Sequence, residues 1–316
     1  MRIFYVIAVL AYVFLTPQIG YTQSVAEIRS AENGLTTQQG RSAAWYLAQH
    51  QNLNQEITQL QPQQPGVIDA FIIVAGLDAD PVFTRESKET AKVLSRRFGG
   101  AGRTILLASG NDGKTANGSP GNIAAALAAV AAKMDVNEDV LILYTTSHGS
   151  AKTGIAYQDG ENGFGSISPS RLANLINGLG IKRRLIMISA CYSGVFIPPM
   201  QSDESIILTA ASERRTSFGC TPGNDWTFFG DAMINNAMRK PQPLLAASKE
   251  AKKLTFDWEN QLGVISSEPQ VFIGEKSSVW LSALESRMPT TETPRVGRPA
   301  IEGDKPKTVP SVAKSK

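Results

Sequence analysis

From residue 70 onward the chain alternates short, mostly apolar runs with longer stretches of mixed polarity. The runs are AFIIVA (70–75), TILLA (104–108), DVLILYT (139–145), RLIMIS (184–189), SIILT (205–209) and QVFI (270–273). A strand with one wet face alternates polar and apolar residues, so continuous apolar runs of this length predict strands buried on both faces. The intervening stretches 84–98, 122–134, 169–179, 225–238 and 244–258 read as helices, the first stopping at Gly99-Gly100. Strands alternating with helices predict an α/β domain over 67–285, with a mostly parallel sheet of about six strands and helices on both faces.

The flanks read differently. Residues 27–66 are rich in Gln, Asn and Ser and close on the breaker cluster QPQQPG (61–66). They predict a polar linker or N-terminal appendage, with a short helix at 41–49. From 286 to 316 Pro, Thr, Lys and Gly dominate, which predicts a disordered tail. That tail is basic: from 287 to 316 seven Lys/Arg face three Asp/Glu, a net +4, so the rest of the chain sums to −1 against the total of +3. A near-neutral body carries no electrostatic footprint for nucleic acid.

The first 26 residues predict an export signal. Arg2 gives a positive start, 3–15 is almost wholly apolar, Pro17 and Gly20 interrupt it, and small residues at 24–26 offer a cleavage site. The apolar stretch is shorter than the ~20 residues a spanning helix needs. A periplasmic or secreted location follows. The alternative is an uncleaved N-terminal membrane tether.

Candidate chemistry is narrow because the chain has two cysteines, Cys191 and Cys220, and two histidines, His50 and His148. In open parallel sheets, sites form beyond the carboxyl ends of the strands. The third strand of the pattern runs into Ser147-His148-Gly149, and the fourth into Ala190-Cys191-Tyr192. Placed on neighbouring strands, an imidazole can take the thiol proton and create a thiolate nucleophile. The N–H groups of Gly149 and Cys191 are candidate donors to an oxyanion. The competing reading is a structural cysteine, or a Cys191–Cys220 disulfide in an oxidising compartment. His50 lies in a Gln-rich stretch and reads as a surface residue. No spacing suggests a metal site or a bound cofactor.

Several motifs together carry a resemblance: TSHGS (146–150), SACYSG (189–194), TAASERRTSFGC (209–220) and TFFGDA (227–232). They resemble the caspase–legumain group, and most closely the legumain family of asparaginyl endopeptidases in its bacterial branch, over about 67–274. The resemblance implies a caspase-like three-layer sandwich and a cysteine endopeptidase with Cys191 as nucleophile and His148 as base. The substrates it implies are peptides or proteins cut after Asn or Asp, with Arg85, Ser217 and Asp231 recognising that side chain. A transpeptidase using the same thioester, and a non-catalytic module keeping the fold, are the alternatives. Two positions depart from the family pattern. Ser189 stands where legumains carry an acid, and no Asn near Val82 and Phe83 matches the residue that orients the histidine, so a backbone carbonyl is the expected substitute.

Overall fold

The computed structural model describes residues 25–110 and 113–303. The export-signal expectation therefore lies almost wholly outside the described residues, as does the tail from 304 onward.

The stretch before the domain is folded. It forms helix α1 (Val25–Asn33), strand β1 (Thr36–Gln38) and helix α2 (Ala43–Thr58), the last started by Ser42, whose hydroxyl accepts from the Trp45 N–H. Next come β2 (Ala70–Gly76), α3 (Pro81–Phe98), β3 (Thr104–Ala108), α4 (Pro120–Ala131) and β4 (Val140–Thr146). Pro81 opens α3, and Gly99, with φ 67°, closes it in the left-handed region where the sequence predicts the stop. Three short strands follow, β5 (Gly149–Ser150), β6 (Gly154–Asp159) and β7 (Gly163–Ile167), then α5 (Pro169–Gly178), β8 (Arg184–Ser189), α6 (Ile197–Met200) and β9 (Ser205–Thr209). The predicted helix at 225–238 is a π-helical segment (Gly230–Asn236), in which the Asn236 side-chain amide also donates to the Asp231 carbonyl. The chain then builds α7 (Leu244–Leu262), β10 (Gln270–Ile273), α8 (Ser277–Glu285) and α9 (Ala300–Gly303).

Among the described residues, β10–β9–β8–β4–β2–β3 form a six-stranded sheet, parallel except for β10. Alternate side chains divide it between two cores. Ile72, Val74, Ile142, Tyr144 and Met187 pack with Leu94 and Phe98 of α3, Met233, and Trp280 of α8. Phe71, Ile73, Leu141, Leu143 and Ile186 pack with Ile123 and Leu127 of α4 and with Leu172 and Ile176 of α5. This is the three-layer α/β sandwich that the apolar runs predict. A second, antiparallel sheet, β1–β7–β6–β5, joins the N-terminal segment to the strand that begins at Gly149. In the sequence 154–165 reads only as glycine-rich, because more than half of the positions in β5, β6 and β7 carry Gly or polar side chains.

The tail expectation is corrected for 287–303. Val296 accepts from the Trp226 indole through its carbonyl (2.7 Å) and donates its N–H to Asn235. The Ala300 N–H donates to Asp231 (2.7 Å), and Ala300 and Ile301 are buried in the same core as Trp226. Composition alone favours disorder here, but the body presents an indole and a carboxylate that these backbone groups satisfy. Replacing Ile301 by Ala is expected to cost about 2 kcal/mol of unfolding free energy in urea. A loss below about 0.5 kcal/mol would mean that this segment is not packed in solution.

Candidate active site

The pairing of β4 with β8 brings the two motif ends together. Thr146 lies opposite Ser189 in register, and the Ser147 N–H donates to the Ser189 carbonyl (3.1 Å) just beyond the last pair. His148 and Cys191 therefore leave neighbouring strands at the same edge, two residues past paired positions. Gly149 is needed at this junction, since a Cβ there would fall onto the Cys191 carbonyl oxygen. After the nucleophile the chain turns sharply: Tyr192 adopts φ 58°, uncommon for a residue with a side chain, and its N–H is held by the Arg215 carbonyl (2.8 Å).

The thiol of Cys191 is surrounded by polar groups of Ser217. The Ser217 N–H points at Sγ from 3.3 Å, the Ser217 carbonyl lies at 3.6 Å and its hydroxyl at 3.9 Å. Its pKa is pulled down to about 6, chiefly by a hydrogen bond from Cys220. Burial opposes this, and the Ser217 groups and the charge of His148 add to the lowering. Cys191 and Cys220 are both thiols, with no disulfide between them.

His148 is held from the other side. Its Nε2 lies 3.7 Å from Asp80 Oδ2, and its ring meets Phe83 edge-to-face at 5.1 Å. The Asp80 N–H donates to Asp78 (2.8 Å), and burial pushes the Asp78 carboxyl up. Sequence reasoning missed Asp80 and expected a backbone carbonyl instead. The available signal was Asp78-Ala79-Asp80 directly after β2, which is the neighbour of β4. Donor atoms of Asp78, Asp80 and His148 lie within 4.8 Å of one another, a spacing that a divalent cation can bridge.

The three predicted specificity residues separate. Ser217 sits against the thiol. Arg85 donates to the carbonyls of Pro222 (2.8 Å) and Asn224 and pairs with Asp225 (3.3 Å), so its guanidinium braces the 222–225 loop. The expectation for Asp231 is corrected: it is 1% exposed, and its carboxylate accepts from Asn235 (2.8 Å), Asn236 (3.0 Å) and the Ala300 N–H. Burial pushes this carboxyl up, and the C-terminal segment occupies the oxygen that a substrate amide would need. Ser189 is also buried, sharing a hydrogen bond with Thr227 (2.9 Å). The Thr227 N–H in turn donates to Glu86 (2.8 Å), a fully buried carboxylate that also accepts from Tyr144 (2.7 Å). α3 thus places a buried carboxylate beside the Thr227 that Ser189 bonds to.

Residues 120–275, which contain both the His148 and Cys191 strand ends, match the model of the Peptidase C13 family. This is the legumain family of cysteine peptidases, and the matched stretch is just under half of the chain. No curated protein matches the chain. Among solved structures it is similar to caspase-1 from Spodoptera frugiperda, with 13% identity over 68% of this chain and 93% of that chain and a TM-score of 0.44.

The thiol environment has a direct readout. Alkylation of Cys191 by iodoacetamide is expected to rise with a midpoint near pH 6, because only the thiolate reacts. Cys220→Ala removes the leading stabiliser of the thiolate, so the midpoint moves upward. An unchanged midpoint in that variant would remove Cys220 from this role.

Proposed function

We propose that the chain is an exported cysteine endopeptidase that hydrolyses peptide bonds through Cys191 and His148, cutting after Asn or Asp. The observation that carries the proposal is the placement of a low-pKa thiol and an imidazole at the ends of neighbouring strands, with the imidazole Nε2 paired to Asp80. With Asp80 at Nε2, Nδ1 is the nitrogen assigned to proton transfer with the thiol. The gap of 3.7 Å exceeds a hydrogen bond, and it closes as the imidazolium forms and draws the carboxylate in.

In the reaction the Cys191 thiolate attacks the scissile carbonyl carbon. The N–H groups of Gly149 and Cys191 donate to the resulting oxyanion. Imidazolium gives its proton to the leaving amine, and a thioester remains on Sγ. Water, deprotonated by His148, attacks the thioester carbon and releases the acid product and the thiol. Asp80 stabilises the charged ring through both halves. Preference for Asn or Asp follows from family membership and from Ser217 beside the thiol, whose hydroxyl can meet a substrate side-chain amide or carboxylate. Arg85 acts through the loop it braces. Export rests on the leader-like pattern of residues 1–26. Among the described residues no helix is long and apolar enough to cross a membrane.

A library of short peptides scanned at the residue before the cut tests the reading. Wild type is expected to cleave after Asn or Asp, and Cys191→Ala to lose about a thousandfold or more in kcat/KM. Asp80→Asn is expected to lower kcat about tenfold with little change in KM, the signature of a group that acts through the base. No cleavage of any peptide by wild type, together with no labelling of Cys191 by a thiol-reactive peptide, would overturn the peptidase assignment for this chain.

A further inference from the structure

The proposed chemistry uses only one end of a larger depression. From His148 and Gly149 an open cleft of about 700 Å³ continues to Phe164 of β7 and to Ser30, Leu35 and Thr37 of the N-terminal segment. Its floor is one face of the small antiparallel sheet. Thr37 lies opposite Phe164, and Ala156 opposite Ser166 two residues further along β7, so these four side chains point the same way. The Leu35 N–H donates to the Ser30 carbonyl (2.9 Å), which fixes the turn between α1 and β1.

Two features make this more than a continuation of the catalytic groove. Leu35 and Phe164 are large apolar side chains left 63% and 39% exposed, both lining the same cleft as the catalytic histidine. Scattered apolar residues on a surface need no explanation, but paired ones facing a concave wall beside a reacting centre do. The wall formed by residues 26–37 also lies outside the stretch matched to the family, 120–275.

We propose that the cleft is a substrate subsite that takes an apolar side chain flanking the scissile bond, with Leu35 and Phe164 as specificity-determining residues. The reading rests on the peptidase function proposed above. A peptide with its scissile carbonyl at Cys191 must pass His148 and Gly149, and the cleft opens directly from these two. Burying an apolar substrate side chain there removes it, together with Leu35 and Phe164, from water. The segment before the catalytic domain thereby becomes part of the recognition surface.

The test compares full-length wild type with Leu35→Asp, Phe164→Ser and the conservative Leu35→Met. Short Asn-containing peptides are scanned with Leu or Ser at each flanking position. Wild type is expected to favour Leu at one position, and Leu35→Asp and Phe164→Ser to lower the Leu-to-Ser ratio of kcat/KM there by about tenfold, mostly through KM. Leu35→Met is expected to keep the preference. The rate of Cys191 alkylation reports an intact nucleophile in every variant. The same peptides are also titrated against Cys191→Ala protein by calorimetry. If wild type cleaves nothing but the Leu peptide binds with a Leu35-dependent affinity, the subsite stands and the peptidase reading falls. A uniform profile at every flanking position, or one that Leu35→Asp and Phe164→Ser leave unchanged, overturns the subsite.

Discussion

The active site depends on one pairing, the parallel register that sets Thr146 opposite Ser189. Because His148 and Cys191 each lie two residues beyond that pair, a slip of one residue would turn every side chain of one strand to the opposite face and part the thiol from the imidazole. The register is held by burial on both faces. Leu141, Leu143, Ile186 and Ile188 point into one core, and Ile142, Tyr144, Leu185 and Met187 into the other. Gly149 then allows the strand end to approach the Cys191 carbonyl more closely than any side chain would permit.

Around that pairing the protein arranges charge by proximity. The Cys191 thiolate is stabilised by sulfur and amide donors from the 217–220 loop, with His148 contributing a smaller share. On the proposed peptidase reading this loop does two jobs, since it activates the nucleophile and also carries Ser217 to the place where a substrate side chain would lie. It is braced in turn by Arg85 on the 222–225 carbonyls and, further on, by the C-terminal segment bonded to Trp226, Asn235 and Asp231. The chain after α8 therefore belongs to the structural support of the catalytic loops.

The two flanks converge on the same domain from different sides. The N-terminal segment adds β1 to the sheet that begins at Gly149, and the C-terminal segment seals Asp231. Both flanks are polar and lack a long apolar run, so composition reads them as linker and tail. Each is held by backbone hydrogen bonds and a few apolar contacts. Such partners carry no periodic signature, because main-chain groups donate and accept alike in every residue.

The sequence by itself determined the six strands, of which only the edge strand β10 is not buried, the helices between them, and the placement of Cys191 and His148 at strand ends. Continuous apolar runs have few other solutions, and sites in parallel sheets form at the carboxyl edge. The resemblance of the surrounding motifs was equally legible. Only the tertiary structure decided what supports the pair. Asp80 reaches His148 because β2 lies beside β4, and Cys220 reaches Cys191 because the loop after β9 folds back over β8. Asp231, which the motif assigned to substrate, turns instead to Ala300, almost seventy residues downstream. A local pattern records which face a residue takes. It does not record which distant backbone group competes for that residue's hydrogen bonds, as the Ala300 N–H does for Asp231.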